Sequence, residues 1–261
     1  MIRRVQRERV LALSGQRALL MQAAHPLAVV GLLAHTDSLD EPYRRLARTA
    51  QMMGTITFGT RADADRTTRR VRTMHRRVKG RLPEAVGPYP KGTPYRADDP
   101  ELLLWILFSL VDSALVVYRR YVGPISRGEE AALWEDYKVV GRLFGLRVRD
   151  MPGGLDELDA YRHQMLTGDR LFVNDWARER ARQIVLEPPV PPAWRPLLQG
   201  ANFITIALLP DAIREQYGFS PLPPAILRRA VVDVHAGYAR RFLVPLLPGR
   251  LRHVPAARVG S

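Results

Sequence analysis

The order of hydrophobic and polar residues along the chain predicts one helix after another. Apolar residues recur with the spacing of helical turns, and no segment shows the sustained alternation of a half-buried strand. No repeat of fixed period is present. The predicted helices cover about residues 3–14, 17–35, 42–53, 61–79, 98–121, 126–144, 154–167, 171–186, 193–208, 210–216 and 223–244. The sequence therefore predicts an all-α fold.

Local signals predict where several of these helices begin or break. Pro26 lies inside the apolar segment 17–35, so we expect a kink or a break there. Pro100 follows a pair of aspartates, which is typical of the first turn of a helix. Ser126 and Glu129 have the spacing of a capping box, in which each residue satisfies a backbone N–H of the other.

Glycine and proline punctuate the chain between the helices. Gly15 and Gly80 are each predicted to end a helix, and the segment 54–60, with its glycines and β-branched residues, is expected to be irregular. The segment 81–97 is rich in proline and glycine and is predicted to be a loop. We interpret it as a loop inside a single globular multi-helix domain that spans residues 1–261.

Composition limits the chemistry. The chain has 261 residues, of which 46% are hydrophobic, so a sizeable core can form. The absence of cysteine excludes disulfides, zinc–thiolate sites and iron–sulfur clusters held by thiolates. The net charge of +14 attracts anionic partners, although such a charge can also serve solubility alone.

Neither a secretion signal nor a membrane span is predicted. Arg3 and Arg4 precede the apolar segment 18–34, but polar residues and a proline interrupt that segment, which therefore suits a structural helix. The run 102–117 comes closest to a membrane span, and Asp112 falls inside it. These observations predict a cytoplasmic protein without a transmembrane segment.

Common catalytic motifs are absent from the sequence. It contains no GxGxxG, HExxH or GxSxG motif, and no Glu-x-x-His pair of the kind that builds di-iron helical bundles. The histidines are scattered, so a site with several histidines would need long-range convergence. They are His25, His35, His75, His163, His235 and His253.

His75 is the strongest candidate for a metal ligand. It lies late in the arginine-rich helix 61–79, and a neutral imidazole binds metals through one ring nitrogen. Neighbouring arginines can hold the carboxylates of a cofactor. The alternative is that His75 is an ordinary packed or surface histidine, and that the arginines form a solvated face. These arginines are Arg69, Arg70, Arg72, Arg76 and Arg77.

Several motifs, taken in their order and spacing, resemble a known family. They are Leu19 to Pro26, Ala34 to Thr36, Arg44 to Thr49, Val71 to Gly80, Asp112-Ser113, Arg120 to Ser126 and Leu208 to Gly218. Together they resemble the catalytic domain of the latex-clearing rubber oxygenases. That family also contains a fungal oxygenase of mycophenolic acid biosynthesis and many uncharacterised bacterial proteins. The resemblance extends from about residue 5 to about residue 220.

The resemblance implies a globin-like core that holds one b-type haem with its iron. His75 matches the proximal iron ligand of the family. Arg45 and Thr49 match its distal arginine and threonine and are the implied catalytic residues; their spacing places both on one helix face. Arg48 stands where rubber oxygenases have a lysine, and a guanidinium is a poor iron ligand. It therefore becomes a candidate for cofactor binding without coordination.

The cofactor's carboxylates have two further candidate partners, and the substrate pocket has a candidate wall. Arg72 and Arg76 are the arginines assigned to the haem propionates, because guanidinium pairs with carboxylate in two parallel hydrogen bonds. Leu107 stands where relatives often have a histidine, which makes its helix more apolar and removes a proton relay. We expect the pocket walls from a further set of residues. They are Met52, Met53, Trp105, Phe108 and residues 196–208.

The resulting hypothesis is a haem-dependent oxygenase that uses dioxygen on a small apolar substrate, with alkenes as one candidate class. One alternative is a haem sensor or carrier without turnover. Another is a basic protein that binds nucleic acid or an anionic surface through helix 61–79. The absence of a recognisable nucleic-acid-binding module argues against nucleic acid. The sequence does not predict the oligomeric state.

Overall fold

The fold is known from a computed structural model, which describes residues 1–34, 42–187, 191–219 and 225–255. Within these ranges it does not describe the side chains of residues 32–34, 42–47, 184, 225–231 and 243. The first elements are α1 (Ile2–Gln6), α2 (Ala12–Ala23), α3 (Pro26–Ala34), α4 (Pro42–Phe58), α5 (Arg61–His75), β1 (Lys79–Arg81) and β2 (Pro94–Arg96). They are followed by α6 (Pro100–Tyr121), α7 (Arg127–Phe144), α8 (Leu155–Thr167) and α9 (Asp175–Ala181). The last are α10 (Arg195–Ala207), α11 (Asp211–Gln216), α12 (Ala225–Tyr238), α13 (Val244–Leu246) and α14 (Gly249–Arg252).

Shorter helical turns connect some of these elements. Wide π-helical turns continue α9 over Arg182–Leu186 and α12 over Ala239–Leu243. Three short 3-10 turns lie at Arg9–Leu11, Val148–Asp150 and Pro192–Trp194. The mainly helical architecture confirms the predicted all-α character.

Helix α6 lies at the centre of the molecule. It packs against α2, α7 and α12, and most of its side chains are buried. Trp105 of α6 stacks on Phe108, and its indole N–H donates to the backbone carbonyl of Met21 at 3.1 Å. One cluster of buried apolar side chains extends from Val5 to Ala239, so the described helices share one core.

Helix α6 is also long and apolar enough to cross a bilayer by length and composition. It has 22 residues and a mean hydropathy of 1.9 in its most apolar window. The prediction that no segment is long and apolar enough to span a membrane was therefore wrong on these two criteria. Inside the structure 78% of that window is buried, as is typical of a central core helix.

Three of the predicted helix boundaries agree with the structure. Asp99 caps α6 by accepting hydrogen bonds from backbone N–H groups, and Pro100 occupies the first turn. Ser126 and Glu129 form the predicted capping box at the start of α7. The predicted break at Pro26 is confirmed, because α2 ends at Ala23 and α3 begins at Pro26.

Two predicted interruptions were wrong. Gly15 does not end a helix but lies within α2, and the first break instead comes at Arg7 and Glu8. The segment predicted to be irregular continues α4 as far as Phe58. Tertiary contacts account for this, because Thr57 is buried and its carbonyl accepts from Arg3 Nε at 3.0 Å. Such contacts override a weak local helix preference.

The segment after α5 also differs from the prediction. The helix ends at His75, and β1 and β2 form an antiparallel ribbon in which Gly80 pairs with Tyr95. A Cβ at Gly80 would lie 2.6 Å from the Tyr95 hydroxyl, so glycine leaves room for that ring. Strands of three residues are too short to show alternation, which is why the sequence did not reveal them.

Candidate functional site

His75 lies on the inward face of α5. Ala64 and Thr68 are buried, Val71 is half-buried, and His75 follows them at helical spacing as the last residue of the helix. Residues four, seven and eleven positions apart share one face of a helix. The imidazole is itself partly buried, and its Nδ1 atom is enclosed by protein. The geometry therefore directs His75 toward the interior.

The ribbon brings an acidic side chain close to His75. The backbone N–H of Ala97 donates to the carbonyl of Val78 at 3.0 Å, which returns the chain to the end of α5. Asp98 follows, and Arg96 donates to its carboxylate at 3.0 Å through Nε and through Nη2. Arg96 lowers the pKa of Asp98 most, and the nearby charge of His75 lowers it further. His75 thus lies within electrostatic reach of a carboxylate.

The two arginines assigned to the propionates are exposed, and both have contacts within the protein. A Cβ at Gly145, which ends α7, would lie 3.6 Å from Nε of Arg72, so this guanidinium lies beside the carboxyl end of α7. A cation is favourable there because the carbonyl groups at a helix end carry partial negative charge. Arg76 donates through Nη2 to the Thr73 hydroxyl at 3.1 Å. Both could turn to a ligand beside His75.

The distal candidates lie on α4, which contacts α5. Thr49 precedes Met53 and Ile56 at helical spacing, and these two side chains pack against the core. Thr49 is exposed, so the inward face of α4 opens at this point, and the neighbouring Arg48 is also exposed. The side chain of Arg45 lies outside the described residues.

A shallow depression lies on the opposite face of α5. It has a volume of about 380 Å³ and is lined by Arg66, Arg69, Arg70 and Thr73. These residues have the spacing of one helix face, and His75 falls about half a turn away from them. The depression suits an anionic group, but it cannot share a ligand with His75.

The predicted pocket walls on α6 are part of the packed core. Trp105 and Phe108 are almost fully buried. Leu107 is also buried, beside Gly141, where a Cβ would lie 2.9 Å from a Leu107 methyl group. Met52 and Met53 on α4 are half-buried. The predicted walls on α6 therefore face the protein interior.

His25 is the more deeply buried histidine. Its Nε2 lies 3.4 Å from the Tyr89 hydroxyl. Its Nδ1 makes no hydrogen bond within the described part of the chain. Burial, with a smaller contribution from the charge of Arg170, lowers the pKa of His25 to about 4. This imidazole is therefore neutral near pH 7.

The sequence reasoning missed a buried charged pair. Arg17 on α2 is 1% exposed, and its Nη2 lies 2.7 Å from Oδ2 of Asp112 on α6. The same guanidinium donates to the Leu208 carbonyl at 2.8 Å and to the Ser113 hydroxyl at 2.7 Å. The Asp112-Ser113 motif was identified, but its partner was not, because a lone arginine in an apolar helix carries no signal of what it contacts.

The arrangement defines a helical protein in which the half-buried His75 lies near a carboxylate and exposed guanidinium groups. No group of three or more histidine, aspartate or glutamate side chains suited to a metal occurs among the described residues. Over residues 2–243 the chain matches the family described as ER-bound oxygenase mpaB/B'/Rubber oxygenase, catalytic domain, and it belongs to that family. No curated protein matches it, and neither does any solved structure.

The chemistry of these donors fits a haem. One imidazole suffices as its axial protein ligand, and no thiolate competes for the metal. Arg72 on α5 and Arg76 just after its end flank His75 in the sequence and offer partners for two carboxylates. The fit therefore rests on the donor set. The globin-like arrangement stays a prediction.

Proposed function

We propose that this protein is a haem-dependent oxygenase that uses dioxygen on a small apolar substrate. The observation that carries the proposal is membership of an oxygenase catalytic-domain family over residues 2–243. A second observation, the inward direction of the half-buried His75, supports the proposal independently, because an axial ligand must face a protected space.

The roles of the residues follow from their positions. His75 would hold the iron through one ring nitrogen, while Arg72 and Arg76 would bind the propionates. A bound haem would supply the binding and activation of dioxygen, which protein side chains cannot perform. Thr49, and Arg45 on the same predicted face of α4, would donate hydrogen bonds to the dioxygen that takes part in the reaction. Arg48 would add positive charge without coordinating the metal.

The proposed substrate is small and apolar, with alkenes as the first class to test. Rubber is the substrate named for part of the family, and a polyisoprene is an apolar alkene. Leu107 supports a substrate range different from that of the rubber oxygenases. Relatives often have a histidine at this position, and a buried leucine cannot relay a proton as a histidine can. Family membership alone does not fix a substrate, since one fold serves many reactions.

The first experiment measures haem binding by the visible absorption of the purified protein after titration with haem. We expect a Soret band in the parent protein and its loss or strong reduction in His75→Ala. His163→Ala is the matched control, because His163 is exposed on α8. Circular dichroism checks that each variant keeps its helices. Full haem occupancy with an unchanged spectrum in His75→Ala would refute the ligand assignment, and loss in His25→Ala alone would move it to His25.

The second experiment measures oxygen uptake by the reduced, haem-loaded protein with short isoprenoids, latex and unrelated apolar metabolites. We expect uptake with at least one small apolar compound and weaker uptake with latex. Thr49→Ala and Arg45→Ala should keep the haem but change turnover. Haem binding without uptake from any compound would favour a sensor or carrier. A protein that binds no haem would favour a basic protein that binds anions through α5.

A further inference from the structure

The helical run that begins with α12 is apolar on two sides. On one side Val232, Ala236 and Ala239 are buried against the core. A surface helix normally exposes polar residues on its other side, whereas a helix that is apolar all round is covered on both. The apolar side chains on the outer side of this run would therefore be stabilised by contact with a second apolar environment.

A row of large apolar side chains occupies that outer side, and we call it the C-terminal ridge. Its members are 50% to 78% exposed, and they are Val234, Tyr238, Phe242 and Leu246. They recur every four residues through α12, the π-helical turn and α13. The rings of Tyr238 and Phe242 lie side by side, with their centroids 5.3 Å apart. Contiguous exposed apolar surface of this kind marks an interaction site.

The charges beside the ridge that have no ion-pair partner among the described residues are positive. Arg240 and Arg241 are exposed next to Phe242 and form no ion pair with the described residues. The single acid from residue 225 to residue 261 is Asp233, and Arg120 of α6 already pairs with it. The ridge therefore combines apolar side chains with uncompensated positive charge.

We propose that the C-terminal ridge docks the protein on the surface of a membrane that contains anionic lipids. Apolar side chains on one helix face, with arginines beside them, are the features of a helix that lies in the interface of a bilayer. The anionic headgroups neutralise Arg240 and Arg241, and the acyl region covers the four apolar side chains. A second copy of this chain fits less well, because a two-fold interface through the ridge would bring the same arginines together.

The proposal concerns where the protein resides and does not depend on haem. The test is co-sedimentation of the full-length protein with phosphatidylcholine vesicles, prepared with and without phosphatidylserine. The protein should bind the vesicles that contain phosphatidylserine, and His75→Ala should bind them equally well. Failure of this docking would thus leave the proposed oxygenase activity untouched.

Charge-neutral changes separate the ridge from general attraction by a chain of net charge +14. The double variant Phe242→Ser and Leu246→Ser should reduce vesicle binding at least about tenfold, because each apolar side chain loses its transfer from water. Val148→Ser is the matched control, since Val148 is 65% exposed on a turn that packs elsewhere on α6. Binding by the double variant equal to that of the parent would overturn the proposal.

The arginines have a separate signature. Arg240→Ser with Arg241→Ser should weaken binding to anionic vesicles by about fivefold for each residue, and should leave binding to phosphatidylcholine vesicles unchanged. Independently, Phe242→Trp should show additional quenching by brominated acyl chains relative to the parent. Sedimentation velocity tests the other occupant: a dimer that Phe242→Ser abolishes, without any vesicle binding by the parent, would assign the ridge to a second copy.

Discussion

Neutralising Asp112 should destabilise the protein strongly. In Asp112→Asn, Arg17 keeps its charge at 1% exposure but loses the carboxylate that lies 2.7 Å away. Arg162, whose Nε is 3.6 Å from the other oxygen of Asp112, becomes a second cation near it. Removing one partner of a buried ion pair costs about 3–5 kcal/mol, because an uncompensated charge stays in the interior. For a chain of this size such a loss lowers Tm by about 10 °C.

The assay is urea denaturation followed by circular dichroism, with Asp156→Asn as the matched control. Asp156 pairs with Arg127 on the surface, and an exposed pair contributes less than about 1 kcal/mol. A double variant, Arg17→Met with Asp112→Leu, removes both charges and should recover most of the loss. A free energy of unfolding within about 1 kcal/mol of the parent for Asp112→Asn would refute the reasoning. So would a double variant that is no more stable than the single one.

Three further predictions concern stability. His25 has a pKa of about 4 when folded and 6.5 when unfolded, so the unfolded chain binds more protons between these values. The contribution of the neutral His25 to stability should therefore be fully present above pH 6.5. The free energy of unfolding should fall by up to about 3 kcal/mol as the pH drops toward 4. His25→Gln should flatten this pH profile and the exposed His163→Gln should not. Arg252→Ala should lower the free energy of unfolding by about 2 kcal/mol, because the buried Glu8 loses two hydrogen bonds, at 2.8 and 3.1 Å. It should also speed proteolysis of the C-terminal segment, and equal proteolysis rates in variant and parent would contradict this. Ser126→Ala removes the capping box and should lower the free energy of unfolding, measured by urea denaturation, by about 1 kcal/mol. An unchanged denaturation midpoint would count against that role.

Local signals predicted the elements whose cause is local. Ser126, Glu129 and Pro100 act on backbone groups a few residues away, so their spacing alone located the starts of α6 and α7. The end of α4 could not be predicted in this way. Thr57 is held by Arg3, which lies 54 residues earlier in the chain. A contact of that range leaves no mark on the local pattern.

At the candidate site, too, local features could be predicted from the sequence and long-range contacts could not. His75 was identified by its motif, and the spacing of Ala64, Thr68 and Val71 would have predicted its inward direction from the sequence alone. By contrast, Asp98 lies near His75 only because two three-residue strands pair with each other. The partnership of Arg17 with Asp112 likewise depends on how α2 packs on α6. Both require knowledge of tertiary structure.

The contact between Glu8 and Arg252 has a consequence for how the chain is made. Synthesis proceeds from the N-terminus, and the two residues are 244 positions apart. The carboxylate of Glu8 therefore emerges from the ribosome long before its cation. The backbone N–H of Val254 then donates to the carbonyl of Arg7 at 2.8 Å, which closes the same junction. Completion of this junction is a late event in folding, and a nascent chain that stops short of Arg252 exposes an acidic group that the finished protein buries.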